Sequence, residues 1–442
     1  MKEEHIASRE PELSRQARVR RPAEPASRPP RSTFAQVFGV REFTALWLAQ
    51  VLSVGGDQLA RVAITLLVFN QTRSALLASI AFAASIVPSF LGGLLLSGIA
   101  DRRPRRQVMI ACDLSRALLV AVMALPGMPT VLLVALLFLA TMAGAPFISA
   151  RAALYPDILR GDSYVLGTAV TLTTLQFAQV LGFAVGGALV AFFGVRTSLV
   201  IDAVTFILSA VITRLWVRSR PAPRQGPAPD GGDPAPSGAG VTEGPSHAHG
   251  VRAGLRLVFA TPALLVPMLF GWLSAFYNVP EGIAAPLASS LGGGDVAVGL
   301  ILAAGALGAS IGAVVFGRLV GPPHRLRWMS RLAVLSCAVL MLFALHPALP
   351  VALLILAGSG LFDCYQLAAN AAFVSAVPSG QRSQAFGIAQ GGMSLGQGTA
   401  MIIAGAAAEH FSPGSVIAVT GLLGVIAALA VATVGSLARR RT

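Results

Sequence analysis

Two long apolar runs separated by a short basic stretch constrain this chain most. The runs cover residues 75–100 and 108–125. Roughly 20 helical residues at about 1.5 Å each cross the ~30 Å hydrocarbon core of a bilayer, so both runs predict membrane-spanning helices. The stretch SGIADRRPRR at Ser97–Arg106 therefore predicts a tight turn at the membrane surface, because arginines mark the cytoplasmic side of such hairpins.

Composition supports an integral membrane protein, since 55% of the 442 residues are hydrophobic and 12% are charged. The net charge of +14 does not indicate a nucleic-acid partner, because 29 of the 33 Lys and Arg fall in segments that share one side of the membrane. This asymmetry predicts that both termini are cytoplasmic. Lys2 is the single lysine, so the chain has no P-loop lysine of its own.

The order of apolar runs predicts an all-α integral membrane protein with twelve transmembrane helices in two pseudo-symmetric six-helix bundles. We expect a disordered cytoplasmic tail at 1–42, bundles at 43–217 and 261–438, a flexible cytoplasmic linker at 218–260 and a basic cytoplasmic C-terminus at 439–442. The predicted helices cover 44–70, 75–100, 107–125, 130–150, 165–193, 197–217, 261–287, 295–320, 328–345, 350–374, 383–409 and 414–437.

The basic stretch resembles the loop between helices 2 and 3 of the major facilitator superfamily, G-x-L-A-D-R-x-G-R-[RK]. Ala100, Asp101, Arg102, Arg105 and Arg106 match this pattern, whereas Ser97 and Pro104 stand in place of its glycines. Two six-helix halves joined by a linker agree with the parallel repeats of that fold. The resemblance covers nearly all of residues 43–437.

Two further stretches resemble drug and siderophore exporters of the superfamily. These are the turn ALYPD at 153–157 after helix 4 and the pattern LWLAQ at 46–50, followed by Gly56-Asp57. The branch most similar to them contains macrolide-efflux and enterobactin-exporting drug:proton antiporters. It implies a multi-pass protein of the bacterial cell membrane that exports an amphipathic small molecule against protons. The resemblance implies no cofactor, and we expect a monomer.

Charged residues inside the predicted helices are the strongest site signal, because they are costly in a bilayer and usually face a cavity or a partner. In the family fold, helices 1, 4, 7 and 10 line a central cavity. The resemblance therefore implies cavity positions for Asp57, Arg61, Glu281 and Asp363. Asp57 and Arg61 are spaced i, i+4 and are expected to pair on one helix face.

The remaining charges are expected to be structural. Asp113 and Arg116 lie at i, i+3 in helix 3, which is peripheral in the family fold, and are interpreted as a scaffold pair. Asp202, near the end of helix 6, is expected at the membrane interface. The resemblance implies a conformational latch in which Asp101, with Arg102, Arg105 and Arg106, faces the N-terminus of helix 11 near Arg382.

Glu281 is the favoured proton carrier because it has no basic residue within two turns, whereas Arg61 favours the charged form of Asp57. Pro280 and Gly282 also loosen the helix around it, and broken helices often mark transport sites. Asp363 is the second choice.

Two alternatives remain open from the sequence. One is an importer of a small solute on the same fold. The other is a membrane-embedded serine hydrolase, since GASIG around Ser310 and GMSLG around Ser394 match G-x-S-x-G. Both stretches lie in apolar helical runs, where glycines one turn apart more often serve helix packing.

Overall fold

The computed structural model describes residues 33–220, 256, 258–378 and 381–441, and it gives the backbone alone for 97–102, 322–323, 382–383 and 437–441. Most of the predicted tail and linker therefore lie outside the described residues. The first part of the chain contains α1 Phe34–Gly39, α2 Arg41–Thr72, α3 Ala75–Ala83, α4 Val87–Arg102, α5 Arg105–Met123, α6 Thr130–Ile158 and α7 Asp162–Trp216.

The second part begins with four short helices in succession, α8 Pro262–Trp272, α9 Ser274–Tyr277, α10 Val279–Gly282 and α11 Ala284–Ser290. It continues with α12 Asp295–Leu319, α13 Pro322–Ala338, a 3-10 helix Val339–Leu345, α14 Leu349–Phe362, α15 Tyr365–Ala376, α16 Arg382–Ala408 and α17 Pro413–Arg441.

Nine helical stretches of the described residues are long and apolar enough to cross a membrane. One of them, α7, has 55 residues and breaks at Gly194, whose φ of 79° suits glycine because it has no Cβ. The helices α5 and α16 add 19 and 27 residues and pack against their neighbours in the bundle. The predicted all-α membrane fold is confirmed, whereas the number of twelve crossings stays a prediction.

Proline sets the positions of several helix breaks. The predicted kink at Pro88 is observed as a turn between α3 and α4, since the proline ring cannot donate to the carbonyl of Ala84. Around Pro280 the seventh predicted helix divides into α8–α11, so Glu281 lies in the four-residue helix α10. Asp363 also lies at a helix break, directly after α14, in a stretch without proline.

The end of the fourth predicted helix was wrong. Helix α6 continues through the expected turn at 151–157 and ends at Ile158. Arg151 therefore occupies a helical position on the same face as Gly144 and Phe147, which precede it by two turns and one turn. This extension places a cation inside the bundle that the sequence interpretation had put in a surface loop.

Helices α2–α7 pack into one half and α8–α17 into the other, and the halves touch mainly through α3 with α16 and α7 with α12. The contact between α7 and α12 depends on Gly187 and Gly299, because a Cβ at Gly187 would lie 2.7 Å from the Gly299 Cα. The Ser79 hydroxyl also donates to the Gly282 carbonyl at 2.9 Å. All these residues lie toward the end of the bundle where α2 ends and α3 begins, so the halves are closed together at that end.

Candidate functional site

A polar cavity lies within the first half and is called the N-terminal cavity here. It has a volume of about 230 Å³ and is enclosed by α2, α4, α5, α6 and α7 and the turn before α4. Five charged side chains line it: Asp57, Arg61, Arg116, Arg151 and Asp202. Three of them are arginines and two are aspartates.

The ion pair in this cavity is between helices rather than within one. Arg116 donates to the Asp57 carboxylate and, at 3.0 Å, to the Ser53 hydroxyl, and its guanidinium lies 4.1 Å from the Phe206 ring centre. Asp113 instead accepts a hydrogen bond of 2.6 Å from Ser209. Asp113 and Arg116, predicted as a scaffold pair, interact electrostatically, but the hydrogen-bonded ion pair of Arg116 is with Asp57 on α2.

The predicted pairing of Asp57 with Arg61 also differs from the structure. Arg61 donates to the Ser85 carbonyl at 3.1 Å, while Asp57 is the acceptor for Arg116. Arg61 still interacts electrostatically with Asp57 and, across the boundary between the halves, with Glu281. Arg61 thus connects the charges of the first half to those of the second.

Asp202 is fully buried, so its expected position at the membrane interface is wrong. It packs against α2 at Gly56, where a Cβ would overlap its carboxylate. Thr205 donates to one carboxylate oxygen at 3.3 Å, and Oδ2 has no partner among the described residues. Because Gly56 has no side chain, α7 packs closely against α2, and this contact buries Asp202 inside the bundle.

A second polar cavity of about 220 Å³, the C-terminal cavity, is formed mainly by the second half. Its polar lining is Gln176, Gln179, Tyr277, Asn278, Glu281, Ser359 and Asp363, with the two glutamines contributed by α7 of the first half. Helix breaks place both acids here, since α10 holds one and the end of α14 holds the other.

Hydrogen bonds orient Asp363 within this cavity. The Tyr277 hydroxyl donates to the Asp363 carboxylate, and Gln366 donates to that hydroxyl at 2.9 Å and to the Gly271 carbonyl at 3.0 Å. Glu281 interacts electrostatically with Arg61 and Asp363. Glu281 has no basic residue near it along its own helix, but in the fold it interacts electrostatically with Arg61 of the other half.

The expected latch is described only in part. Arg105 donates at 2.7 Å to both the Asp157 carboxylate and the Ala153 carbonyl, and Arg106 donates to the Arg214 carbonyl. These contacts join α5 to α6 and α7 inside the first half. The side chains of Asp101, Arg102 and Arg382 lie outside the described residues, so their latch role stays a prediction.

The two serines of the G-x-S-x-G stretches lie inside continuous helices. Ser310 donates to the Ala306 carbonyl one turn earlier in α12, and Ser394 is buried within α16. The glycine Gly308 packs against the backbone of Ala357 in α14. This geometry differs from the strand–turn–helix of a nucleophile elbow and agrees with helix packing.

The sequence predicts a loop position for Arg151 and an interfacial position for Asp202, and it gives no indication of Gln176, Gln179 or Tyr277. Arg151 had a usable signal, because apolar and small residues continue at helical spacing past the expected end of helix 4. The other residues had none, since their positions depend on contacts between distant helices.

Comparison with known proteins agrees with this architecture. The family model of the Major Facilitator Superfamily matches residues 46–361 and, in a second match, 282–441. A search of curated proteins finds no significant match to this chain. Solved structures with a similar fold include a POT family transporter in complex with 5-aminolevulinic acid, with a TM-score of 0.70, 11% identity and coverage of 92% of this chain and 97% of that one.

Two further structures are similar. A bacterial homologue of the human lysosomal transporter Spinster, inward-facing and occupied, has a TM-score of 0.65 and 16% identity over 91% of this chain and 97% of that one. The nucleoside transporter NupG has a TM-score of 0.65 and 16% identity over 89% and 99%. The fold is that of a multi-pass membrane transporter. The chain belongs to the Major Facilitator Superfamily.

Proposed function

We propose that the chain is a secondary transporter that exports an amphipathic small molecule in exchange for protons by alternating access. The observation that supports it best is the pair of charged cavities, with Arg61 lining one and Glu281 lining the other. Charges inside a membrane bundle usually mark substrate or ion pathways. The sequence resemblance to drug exporters supports the direction of transport.

Glu281 is proposed as the proton carrier and Asp363 as the second choice. The electrostatic interaction between Arg61 and Glu281 depends on the relative position of the two halves, since the residues belong to different halves. Rocking of the halves would therefore change the proton affinity of Glu281 in each cycle. A proton-coupling residue needs a proton affinity that differs between the two conformations of the transporter. This is because a proton can shift the equilibrium between conformations only if it binds one of them more tightly than the other.

The proposed orientation has both termini cytoplasmic in a bacterial cell membrane, with a monomer as the working unit. Asp101 is proposed to act with Arg102 and Arg382 as a cytoplasmic latch that forms when the halves close at that end. The halves are in contact at the opposite end in this structure. An importer on the same fold is the competing function, and the direction of transport separates the two.

The test begins with expression in a strain that lacks its own efflux pumps and a compound screen for resistance. Transport of a hit is then measured in inside-out vesicles with an imposed proton gradient. We expect uphill accumulation by the wild type and loss of uphill accumulation with retained exchange in Glu281→Gln. Asp295→Asn, which removes an acid away from both cavities, is the matched control.

Uphill accumulation by Glu281→Gln with normal pH dependence would contradict the assignment of the proton carrier. Movement of the hit out of the vesicles with the gradient, in place of accumulation, would favour the importer. Resistance without any vesicle transport would contradict both.

A further inference from the structure

Arg151 in the N-terminal cavity is buried and lacks a hydrogen-bond partner. Its exposed fraction is 7%, and among the described residues none accepts a hydrogen bond from its guanidinium. The nearest aromatic contact is the Phe147 ring, whose centre lies 5.8 Å from its Cζ. Arg116 in the same cavity donates to Asp57 and Ser53 through its two Nη groups, whereas no described residue accepts a hydrogen bond from Arg151.

A buried cation without a partner is unfavourable, because desolvation of the guanidinium is not offset by an adjacent acceptor. Tyr155 and Asp113 interact with Arg151 electrostatically, but neither accepts a hydrogen bond from it, since the Tyr155 hydroxyl bonds to Gln50 and Thr171 and Asp113 accepts from Ser209. The guanidinium therefore keeps donors available toward the cavity. An anionic ligand would provide the missing acceptors.

The rest of the lining fits an acidic group attached to an apolar body. Thr141 and Ser89 provide hydroxyl donors, and Val120, Leu137 and Phe206 provide apolar surface. Arg151 donates to no described residue, which favours an anionic end group over a cationic one. A planar guanidinium binds a carboxylate through two parallel hydrogen bonds, which favours a carboxylate among such anions.

The cavity size limits how much of a ligand it can hold. At about 230 Å³ it is smaller than the ~300–1,000 Å³ of most small-molecule sites. It therefore fits one end of a molecule, while the remainder would extend toward Arg61 and the boundary between the halves.

We propose that the N-terminal cavity is a carboxylate subsite in which Arg151 binds the acidic end of the transported molecule, making the substrate class acidic amphiphiles. This inference rests on the proposed function of small-molecule transport.

The probe for the test is dansylglycine, a fluorescent carboxylate, with its methyl ester as the uncharged counterpart. Binding of each is measured by fluorescence for the purified full chain in lipid nanodiscs. We expect the wild type to bind the acid roughly tenfold or more tightly than the ester, as for a hydrogen bond to a charged group. Arg151→Gln should bind both equally, and Arg151→Lys should retain part of the preference.

The control is Arg331→Gln, which removes an exposed arginine beside Trp328 and should leave the preference unchanged. Thermal unfolding provides a second readout. A structural arginine would make Arg151→Gln less stable without ligand, whereas an unpaired one should leave the melting temperature unchanged or raise it. If Arg151→Gln is not recovered folded, Thr141→Val provides the second variant, with an expected loss of acid preference of about twofold to fivefold.

Equal affinity of the wild type for acid and ester, binding of neither, or a preference retained in Arg151→Gln would overturn this inference. None of these outcomes changes the vesicle result, because uphill transport of a resistance hit is measured independently of dansylglycine. Absence of transport with an Arg151-dependent acid preference would instead overturn the proposed function and leave the subsite standing.

Discussion

Glu409 joins the two halves at the end of the bundle where they are closed. It follows α16 directly, and one carboxylate oxygen accepts hydrogen bonds from the Ser74 hydroxyl at 2.6 Å and from the Leu76 backbone N–H at 2.9 Å. Ser74 is the N-cap of α3 in the other half. A carboxylate is favoured at this position because a helix N-terminus carries a partial positive charge and unpaired N–H groups.

We predict that Glu409→Gln weakens this contact while keeping the size of the side chain. Glu409 is exposed, so the contact between the halves should lose the free energy of an exposed charge at a helix terminus, about 0.5–1 kcal/mol. Because about 1.4 kcal/mol is a tenfold change in an equilibrium constant, the population separated at this end should rise roughly 2- to 5-fold.

The pH dependence has a defined sign. The hydrogen bonds from Leu76 and Ser74 hold the pKa of Glu409 below its usual range. A lowered pKa means that the contact is fully present above the ordinary value of about 4.3 and is lost as the pH falls through the lowered pKa. The difference between wild type and Glu409→Gln should therefore be constant from about pH 5.5 to pH 8.

The assay measures the distance between spin labels at Gln71→Cys and Phe411→Cys, two exposed positions flanking the contact. The three native cysteines are buried and are replaced by alanine in the background. We expect the longer-distance population to increase in Glu409→Gln. Identical distance distributions, or a difference that grows between pH 8 and pH 6, would refute the reasoning.

Three further predictions concern other contacts. Asp101→Asn should express normally yet transport poorly, with more labelling from the cytoplasmic side, and unchanged transport would reduce this stretch to a topological anchor. Gly308→Ala should lower the stability of the protein by about 1–3 kcal/mol, since the new Cβ would overlap the Ala357 carbonyl. Thermal unfolding checks this, with Gly305→Ala as the control because the space around that position is open. Asp57→Ala should lower the melting temperature, because it leaves Arg116 buried without its ion-pair partner, and the loss of stability should be up to about 3 kcal/mol. The double variant Asp57→Ala/Arg116→Met should recover most of this stability.

The membrane fold could be predicted because its signals are local. A run of about 20 apolar residues has a strong preference for the bilayer whatever its neighbours do. The breaks at Pro88 and Pro280 follow from the missing backbone donor of proline, which acts within one turn. The boundaries were less certain where composition changes gradually, as at the end of α6, which extends to Ile158.

The candidate site could be predicted only as a set of residues. Intramembrane charges are recognisable one by one in a sequence. In the structure they lie in two cavities, with Asp57 and Arg61 in one and Glu281 and Asp363 in the other, and their role in transport stays a prediction. Their partners were not recognisable. Spacing along α2 indicated that Asp57 pairs with Arg61, yet Asp57 pairs with a residue of α5.

The sequence by itself determined the all-α membrane class of the fold and which apolar segments carry charge, because these properties belong to short stretches of chain. The tertiary structure alone decided that Arg116 pairs with Asp57, that Asp202 is buried, that Arg61 and Glu281 interact across the halves and that no described residue accepts a hydrogen bond from Arg151. The physical reason is that an ion pair depends on the distance between helices far apart in sequence. Helical periodicity shows which face a residue occupies but not which helix packs against that face.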